Sequence, residues 1–506
     1  MVAAGRVSLV GAGPGDPGLM TARAVDRIAS ADVIFHDRLI PPTALDGARP
    51  DAELIFVGKA PGAPGLGQEE INRRLVESAR TGARVVRLKG GDPFLFGRGA
   101  EEAEALRAAG IRFEIVPGVT AGVAASATAG IPVTHRNHSS GVAFVTGHED
   151  PEKPESRLDI EGLASFPGTL VFYMGISRLR ENAEALIAGG RSPYEPAAVI
   201  ERGTTPSQRV VTATLGTIAE KTAAAEVKPP SLVVIGDVVR YRDELAWFED
   251  SPLFGVSVVV TRARDRAPGL TSRLAALGAE VIELPVTRTE PIGTGDPRVA
   301  AGMSRFTAGE FDLMVFTSPA GVTRFFELLG AAGLDARSLA GAELAAVGPG
   351  TARALAAHGL TVDHLPERFV AEGMLKALEP VEMNGRRVLM VRAEKGRPLL
   401  PDTLRERGAE VEIMPVYRTV PERVELDQLN RARRADFVTF TSASSVASLA
   451  DAAGVEWISG AGDGPRAIAI GPVTADAARE IGIEVAYVAE RHDLDGLVEA
   501  VVKAGG

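Results

Sequence analysis

Arg84-Val-Val-Arg-Leu-Lys-Gly-Gly-Asp-Pro93 gives the clearest indication of fold in the first half of the chain. Residues 84–88 have the length and Val/Leu content of a buried strand, and residues 98–109 beyond the loop have a helical period. The paired glycines allow backbone to approach a small molecule closely, and Pro93 fixes the turn. This order predicts an α/β unit with parallel strands, whose ligands bind outside the carboxyl ends of the strands.

A second glycine loop, Gly11-Ala-Gly-Pro-Gly-Asp16, follows a strand predicted over 6–11 and precedes a helix predicted over 21–30. A dinucleotide loop requires Gly or Ala at the sixth position, where Asp16 stands, and the chain contains no P-loop sequence. Taken alone, this loop fits a strained turn and a ligand site equally well. Asp92 in the first loop is a candidate acceptor for a hydroxylated or cationic ligand, and a tight turn without a ligand is the alternative.

The α/β alternation continues to about residue 245 and is followed by the acidic segment Trp247-Phe-Glu-Asp-Ser-Pro252 and a new strand at 256–261. We therefore predict a first domain over 1–250, with two lobes that divide near 115–120, and a second domain over 255–506.

The second half contains an internal repeat. Residues 258–262 recur at 388–392, Thr317-Ser318 recurs as Thr441-Ser442, and Gly348-Pro-Gly-Thr351 recurs as Gly471-Pro-Val-Thr474. Two related α/β lobes that face a cleft would supply equivalent loops to one ligand site. A duplicated scaffold without a shared site is the alternative.

The composition excludes several classes of protein. Of the 506 residues 45% are hydrophobic and 24% charged, which suits several folded cores, and the absence of cysteine excludes disulfides, thiolate zinc sites and cysteine nucleophiles. The net charge of −11 argues against a nucleic-acid partner. No run approaches the ~20 apolar residues of a membrane helix and no signal peptide is evident, so we expect a cytoplasmic protein without a membrane partner.

The first half resembles the uroporphyrinogen-III C-methyltransferases over about residues 6–248. The resemblance rests on both glycine loops, on Ala31-Asp-Val-Ile-Phe-His-Asp-Arg38, on Val86–Gly99 as a whole, and on Val116-Pro-Gly-Val-Thr120, Gly130–Arg136, Thr146-Gly-His148 and Tyr173-Met-Gly175. It implies a bilobal fold, usually in a homodimer formed through this half. It also implies methylation of two ring carbons of uroporphyrinogen III by S-adenosylmethionine, which yields precorrin-2 and S-adenosylhomocysteine.

The resemblance also assigns residues. The donor contacts map onto Pro14, Gly90, Gly91, Asp92, Leu95, Thr120, Ala121, Met174 and Gly203, although the family often has Thr-Ser where this chain has Thr120-Ala121 and Ile or Val at the position of Leu95. Asp37 is the candidate base and Lys59 the candidate proton donor, a capping carboxylate and a solvated lysine being the alternatives. Candidate contacts to the substrate carboxylates are Arg38, Arg98 and Arg136, with Arg84, Arg87 and Lys89 as further candidates. The histidines are not spaced as a metal set, so we predict no metal.

The second half resembles uroporphyrinogen-III synthase, through its repeat and through Phe316-Thr-Ser-Pro-Ala320, Gly348-Pro-Gly-Thr-Ala352, Val416-Tyr-Arg-Thr419 and Gly471-Pro-Val-Thr-Ala475. The family has one discontinuous lobe, which implies lobes over about 256–290 plus 421–506 and over about 291–420, whereas the repeat alone indicates two consecutive units. The implied reaction closes linear hydroxymethylbilane to uroporphyrinogen III, with loss of water and inversion of the last ring.

For this reaction Tyr417 is the candidate group that assists departure of the hydroxyl, and a buried core tyrosine is the alternative. Candidate substrate contacts are Ser318, Thr351, Ser442 and Thr474, each of which singly also fits an ordinary helix N-cap.

The whole sequence therefore predicts a bifunctional α/β enzyme whose second half makes the substrate of the first. A different precorrin methyltransferase fused to a non-catalytic tetrapyrrole-binding module is the alternative. Nothing in the sequence resembles the dehydrogenase and ferrochelatase part of sirohaem synthases, so the onward fate of the product to sirohaem or cobalamin stays open.

Overall fold

The computed structural model describes residues 5–41, 43–58, 66–147, 158–263, 268–458 and 464–505. The chain divides into two compact units, and each unit is described by itself. The N-terminal unit is Met1–Gly255 with Leu277–Glu280, and the C-terminal unit is Val256–Ala276 with Val281–Gly506. Within the described ranges each unit contains two five-stranded sheets.

The first sheet of the N-terminal unit is parallel throughout, in the strand order β3-β2-β4-β1-β5. Its elements in chain order are β1 (Arg6–Gly11), α1 (Ala22–Ser30), β2 (Val33–His36), β3 (Glu53–Phe56), α2 (Gln68–Arg80), β4 (Arg84–Lys89), α3 (Gly99–Ala108) and β5 (Arg112–Val116). Because β1 and β4 are parallel neighbours, the two glycine loops that follow them meet at one edge of the sheet.

Local sequence accounts for these elements. Thr21 is the N-cap of α1, where its side chain accepts a hydrogen bond from Ala24 N, so the helix predicted over 21–30 begins one residue later. The apolar residues of β1 and β4 pack into the core on both faces of the sheet, as a parallel sheet covered by helices requires. Leu9, Leu75 and Leu106 are completely buried between strand and helices.

The second sheet has the strand order β6-β7-β10-β8-β9. Its elements are α4 (Ala121–Thr128), β6 (Val142–Thr146), α5 (Ile160–Ser165), β7 (Thr169–Tyr173), α6 (Leu179–Ala188), β8 (Pro196–Glu201), β9 (Arg209–Thr214), α7 (Ile218–Ala224), β10 (Ser231–Ile235) and α8 (Arg242–Leu245).

Only β6 and β7 are parallel in this sheet, and its other three pairings are antiparallel. The prediction of parallel strands as far as residue 245 is therefore wrong for the second sheet. For the β8–β9 pair the reason is the short connection 202–208, since a parallel crossover needs roughly a dozen residues or more. The segments 202–208 and 174–178 follow the carboxyl ends of β8 and β7 and so lie at the same edge.

The C-terminal unit continues the α/β alternation. Its elements are β11 (Ser257–Val260), α9 (Pro268–Ala276), β12 (Glu280–Glu283), β13 (Thr287–Pro291), α10 (Pro297–Thr307), β14 (Leu313–Phe316), α11 (Pro319–Ala331), β15 (Glu343–Ala346), α12 (Pro349–Ala356), α13 (Ala371–Ala377), β16 (Arg387–Ala393), α14 (Leu399–Glu406), β17 (Glu410–Pro421), α15 (Leu426–Ala432), β18 (Phe437–Phe440), α16 (Ala443–Ala453), β19 (Arg466–Ala469), α17 (Pro472–Glu480), β20 (Val485–Val488) and α18 (Leu494–Gly505).

These strands form two sheets that are not consecutive in sequence. The third sheet, β12-β11-β18-β19-β20, joins strands from both ends of the unit, and the fourth sheet, β13-β17-β16-β14-β15, takes all its strands from the segment between them. Strand β17 first runs parallel to β16 and then pairs antiparallel with β13, so Tyr417 lies opposite both Ala393 and Pro291. No helix in the part of the chain that the structure describes is long and apolar enough to cross a membrane.

Candidate active sites

The two glycine loops of the N-terminal unit are bonded directly to each other. Ala12 N donates to Lys89 O at 2.8 Å, and Gly91 N donates to Gly13 O at 2.7 Å. A Cβ on Gly11 would lie 2.6 Å from Gly91 O, so no larger residue fits there. Gly91 itself has a φ of +66° and open space where a Cβ would be, which leaves its backbone accessible to a ligand.

Asp92 stabilises the loop that follows β4 through two hydrogen bonds to backbone N–H groups. Its Oδ1 accepts a hydrogen bond from Phe94 N at 2.8 Å, and its Oδ2 accepts one from Gly118 N at 3.1 Å. The carboxylate thus ties the loop after β4 to the loop after β5. Each oxygen keeps a second lone pair for a ligand.

The second lobe of this unit completes the cleft. Tyr173 OH and Thr120 Oγ1 are 2.6 Å apart, and Gly122 N donates to Tyr173 OH at 2.6 Å. Burial raises the pKa of the Tyr173 hydroxyl, which therefore stays protonated near neutral pH. Asp16 N donates to Thr204 Oγ1 at 3.2 Å, a bond that connects the loop after β1 to the segment 202–208.

Strained backbone is concentrated at the same place. Among the described residues six non-glycine residues have positive φ, and five of them lie in loops around this cleft: Phe96, Arg98, Met174, Arg202 and Thr204. Such conformations cost about 1–3 kcal/mol each and persist where surrounding structure holds them, often at ligand sites. Met174, with φ +56°, is half exposed, which suits a soft apolar contact to a ligand.

The structure brings the predicted donor contacts to this one cleft. The loops after β1 and β4 supply Pro14, Gly90, Gly91, Asp92 and the half-buried Leu95, while Thr120 and Ala121 begin α4 and Met174 and Gly203 follow β7 and β8. Gly203 has a packing role as well, because a Cβ there would lie 2.2 Å from the Cβ of Ala125.

Asp37, directly after β2, is held by a buried ionic network. Arg87 Nη2 donates to both oxygens of Asp37, at 2.8 and 2.9 Å, and Arg87 Nε donates to Glu102 Oε1 at 3.0 Å. Lys89 Nζ donates to the same Glu102 oxygen at 2.9 Å. Arg87, Lys89 and Glu102 are almost completely buried, whereas the Asp37 side chain keeps 28% of its surface. The network therefore holds one carboxylate that remains accessible.

This burial corrects part of the sequence prediction. Arg87 and Lys89 are not exposed as the predicted contacts to substrate carboxylates would require, since both are buried and their nitrogens donate to Glu102. Burial lowers the pKa of Lys89. Arg84 lies at the amino end of β4, where it pairs with Asp32 at 2.8 Å, and so it also lies away from the cleft.

The three other candidate cations differ in position. Arg38 is exposed beside Asp37, and Arg98 is exposed in the loop after β4, where its Nη2 donates to Glu101 at 2.7 Å. Arg136 lies before β6, in a pocket with Phe166 and Gly168 at the amino ends of β6 and β7. That is the edge opposite to Met174, so the structure does not bring Arg136 to the donor loops. Lys59 lies outside the described residues.

In the C-terminal unit, Ser318 and Tyr417 are hydrogen-bonded. Ser318 is the N-cap of α11, where its Oγ accepts from Gly321 N at 3.1 Å, and the same Oγ is 2.9 Å from Tyr417 OH. Tyr417 is 5% exposed and packs in the core of the fourth sheet. Thr351 is buried in the first turn of α12, after the neighbouring strand β15. The capping interpretation holds for Ser318 and the core interpretation for Tyr417, whereas the N-cap of α12 is Gly348 and not Thr351. Helices α11 and α12 follow the adjacent parallel strands β14 and β15 and so begin at one edge of the fourth sheet.

The matched residues of the repeat occupy the third sheet. Ser442 is the N-cap of α16 and accepts from Ser445 N at 3.2 Å, and Thr474 is buried in the first turn of α17. They follow the adjacent parallel strands β18 and β19. Each lobe thus places one capping serine and one buried threonine at the carboxyl edge of its sheet.

The partnership of Arg87 with Glu102 was not among the sequence predictions. A signal was present, since Arg87 lies within a run of apolar residues on a predicted buried strand, where a charged side chain requires a partner.

The described residues contain no group of three or more His, Asp and Glu side chains that would hold a metal ion.

Family models match both halves of the chain. A model described as tetrapyrrole (corrin/porphyrin) methylases matches residues 6–219, and one described as uroporphyrinogen-III synthase HemD matches residues 269–499. A solved structure, uroporphyrin-III C-methyl transferase from Thermus thermophilus complexed with S-adenyl homocysteine, is 42% identical, with coverage of 46% of this chain and 99% of that chain and a TM-score of 0.41.

Two relatives match over most of their length. The uroporphyrinogen-III C-methyltransferase of Bacillus subtilis is 44% identical over 66% of this chain and 68% of that protein. The porphyrin biosynthesis protein HemD of Ruminiclostridium josui is 36% identical over 99% of this chain and 98% of that protein. The chain therefore belongs to the family of tetrapyrrole-biosynthesis enzymes in which a uroporphyrinogen-III C-methyltransferase is joined to a uroporphyrinogen-III synthase.

Proposed function

We propose that the C-terminal half closes hydroxymethylbilane to uroporphyrinogen III and that the N-terminal half methylates this product twice, which gives precorrin-2. The observation that carries the proposal is the pair of bonded glycine loops at the carboxyl edge of the first sheet, with the Asp37 carboxylate held at the same edge. We take residues 1–250 and 255–506 as the two functional domains.

The cleft of the N-terminal unit fits S-adenosylmethionine. The open backbone at Gly91, the exposed Met174 and the N-terminal turn of α4 offer backbone donors and a soft apolar surface to a small zwitterionic ligand. When bound, the donor supplies an electrophilic methyl group. Held by both lobes of this unit, it would be shielded from water and oriented toward the ring carbon.

Asp37 is the group that we propose accepts the proton lost after methylation. Its carboxylate is fixed by two hydrogen bonds from Arg87, so little reorganisation is needed when the proton arrives. Arg38 and Arg98 are exposed near the same edge and suit the carboxylates of the ring substituents. Arg136, which lies at the opposite edge of the second sheet, is the weaker candidate.

In the C-terminal half, we assign the closure mainly to orientation of the flexible chain. Tyr417 OH is positioned to donate to the departing hydroxyl, with Ser318 as its partner at 2.9 Å. Thr351, Ser442 and Thr474 are the proposed substrate contacts from the two sheets. The hydroxyl leaves as water with a proton from Tyr417, and the hydroxymethyl carbon that carried it forms the new bond to the inverted last ring, which loses a proton in return.

The methylation proposal is tested by incubating the full-length protein with S-adenosylmethionine and either uroporphyrinogen III or precorrin-2. We expect transfer of two methyl groups to uroporphyrinogen III and none to precorrin-2. Transfer to precorrin-2 alone would identify a different precorrin methyltransferase. A homodimer formed through the N-terminal half is part of the same proposal, and a monomeric mass in light scattering would contradict it.

A further inference from the structure

Arg392, at the carboxyl end of β16, is a buried cation without an acidic partner among the described residues. It is 7% exposed, and its hydrogen bonds go to two backbone oxygens. Its Nε donates to Ala393 O at 3.2 Å and its Nη1 to Arg397 O at 3.3 Å. A buried ion normally has a counter-ion, because removing a charge from water costs several kcal/mol.

The nearby carboxylates are bound by other arginines. Glu394, two residues along the chain, pairs with Arg298 at 2.8 Å, and Glu372 pairs with Arg397 at 2.9 Å. Burial lowers the pKa of the Arg392 guanidinium, and within the described ranges the one titratable group that opposes this shift is Tyr417. Among the described residues no acidic group thus compensates the charge of Arg392.

The third guanidinium nitrogen of Arg392, Nη2, differs from the other two. Across the described residues Nη2 has no hydrogen-bond partner, yet it is not fully enclosed. It packs on the backbone of Gly396, where a Cβ would lie 2.1 Å away. The segment 394–397 therefore fixes the guanidinium while one of its donating edges stays available.

Arg392 shares its sheet edge with the residues of the proposed closure site. Ala393 lies opposite Tyr417 in the β16–β17 register, and Thr317 N donates to Val391 O at 3.3 Å, next to Ser318. An anion held by Arg392 would therefore lie within the same cluster of strand ends as the hydrogen bond between Ser318 and Tyr417.

We propose that Arg392 binds a carboxylate of the linear polycarboxylate substrate and so holds the chain within reach of Tyr417. The inference rests on the synthase function proposed above. A guanidinium suits the role because its fork donates two parallel hydrogen bonds to a carboxylate, which a lysine does not do. The bound carboxylate would be the counter-ion that none of the described side chains provides for Arg392.

The test uses the full-length protein with hydroxymethylbilane as substrate and the variants Arg392→Met and Arg392→Lys. Arg392→Met should raise KM at least about thirty-fold with kcat nearly unchanged, which is the loss expected for one partner of a buried charge pair. Arg392→Lys should give a smaller rise. Arg397→Gln, in the same segment but exposed and paired with Glu372, is the matched control and should leave KM unchanged.

A second measurement separates binding from a structural role. Uroporphyrinogen III, added anaerobically, should raise the Tm of the C-terminal unit in the wild-type protein and in Arg397→Gln but not in Arg392→Met, whereas its binding to the methylation site should raise the Tm of the N-terminal unit equally in all three proteins. If Arg392→Met lowers the Tm while KM and the ligand-induced shift stay as in the wild type, Arg392 only fixes the segment 394–397 and the inference is wrong. If Arg392→Met does not fold, the KM of Arg392→Lys decides. Failure of the wild-type protein to form isomer III would instead overturn the proposed synthase function.

Discussion

The two halves of the chain differ in whether their buried cations have acidic partners among the described residues. In the N-terminal unit Arg87 and Lys89 are compensated by Glu102 and Asp37, all within 3.0 Å of a partner. In the C-terminal unit Arg392 is buried with no acidic partner among the described residues, and its hydrogen bonds go to the backbone oxygens of Ala393 and Arg397.

This contrast fits the two proposed reactions. The proposed methylation requires one carboxylate in a fixed place, which a network with balanced charge provides without help from the ligand. The proposed closure requires the protein to hold a flexible polycarboxylate, and a cation with no acidic partner among the described residues would bind one of those carboxylates. Substitutions at Asp37, Glu102, Tyr417 and His36 test the contrast.

Asp37→Asn should lower kcat for methylation by about 10²–10⁴, the usual contribution of a positioned base. The Kd for S-adenosylmethionine and the rate of bilane closure should not change, since the substitution keeps the shape of the side chain. A methyl-transfer assay with radiolabelled donor measures the effect, with Asp26→Asn on the exposed face of α1 as the control. A methylation rate equal to that of the wild type would remove Asp37 from the mechanism.

Glu102→Gln should lower the free energy of unfolding of the N-terminal unit by about 3–5 kcal/mol, because two buried cations lose their shared anion. Glu104→Gln, exposed on the same helix, should change it by less than about 0.5 kcal/mol. Denaturant titration of both variants gives the comparison. Equal stability of the two variants would show that the network is not balanced as described.

Tyr417→Phe should lower the rate of isomer III formation at least about tenfold, which corresponds to about 1.4 kcal/mol of barrier. The ring stays in the core, so the stability should fall by no more than the one hydrogen bond to Ser318, about 1 kcal/mol. Stopped assays with product isomers separated by chromatography measure the rate. A variant with an unchanged rate and reduced stability would mark Tyr417 as a core residue only.

The smallest expected effect concerns His36 and is a change in how the Tm depends on pH. Its pKa is lowered by burial, so as the pH falls the unfolded chain binds this proton before the folded chain does. The stability that depends on neutral His36 is therefore complete above the pKa of the unfolded chain, ~6.5, and is lost as the pH falls below that value. The Tm of His36→Phe should fall less between pH ~7.5 and ~5.5 than the Tm of the wild type, and parallel curves would contradict this.

Much of the fold followed from local patterns. The bilobal α/β fold of each half is confirmed, and β1 has the bounds predicted for it because apolar runs bounded by glycine mark buried strands well. The direction of β8, β9 and β10 was predicted wrongly, since apolar content does not distinguish a parallel strand from an antiparallel one buried on both faces.

Part of each candidate site was likewise predictable from the sequence and part was not. Loops such as Gly90-Gly91 are evident from sequence because glycine reports a backbone requirement. The pairing of Arg87 with Glu102, and the position of Arg392 with no acidic partner in the described part of the chain, depend on which side chains meet after folding. A sequence shows that a charge lies on a buried strand, but only the folded chain shows whether it is compensated.

The most direct test of the account is a coupled assay of the full-length protein with hydroxymethylbilane, with and without S-adenosylmethionine. We predict uroporphyrinogen III alone when the donor is absent and doubly methylated precorrin-2 when it is present. Release of the isomer with an uninverted last ring, or accumulation of unmethylated uroporphyrinogen III with the donor present, would contradict the assignment of both reactions to this chain.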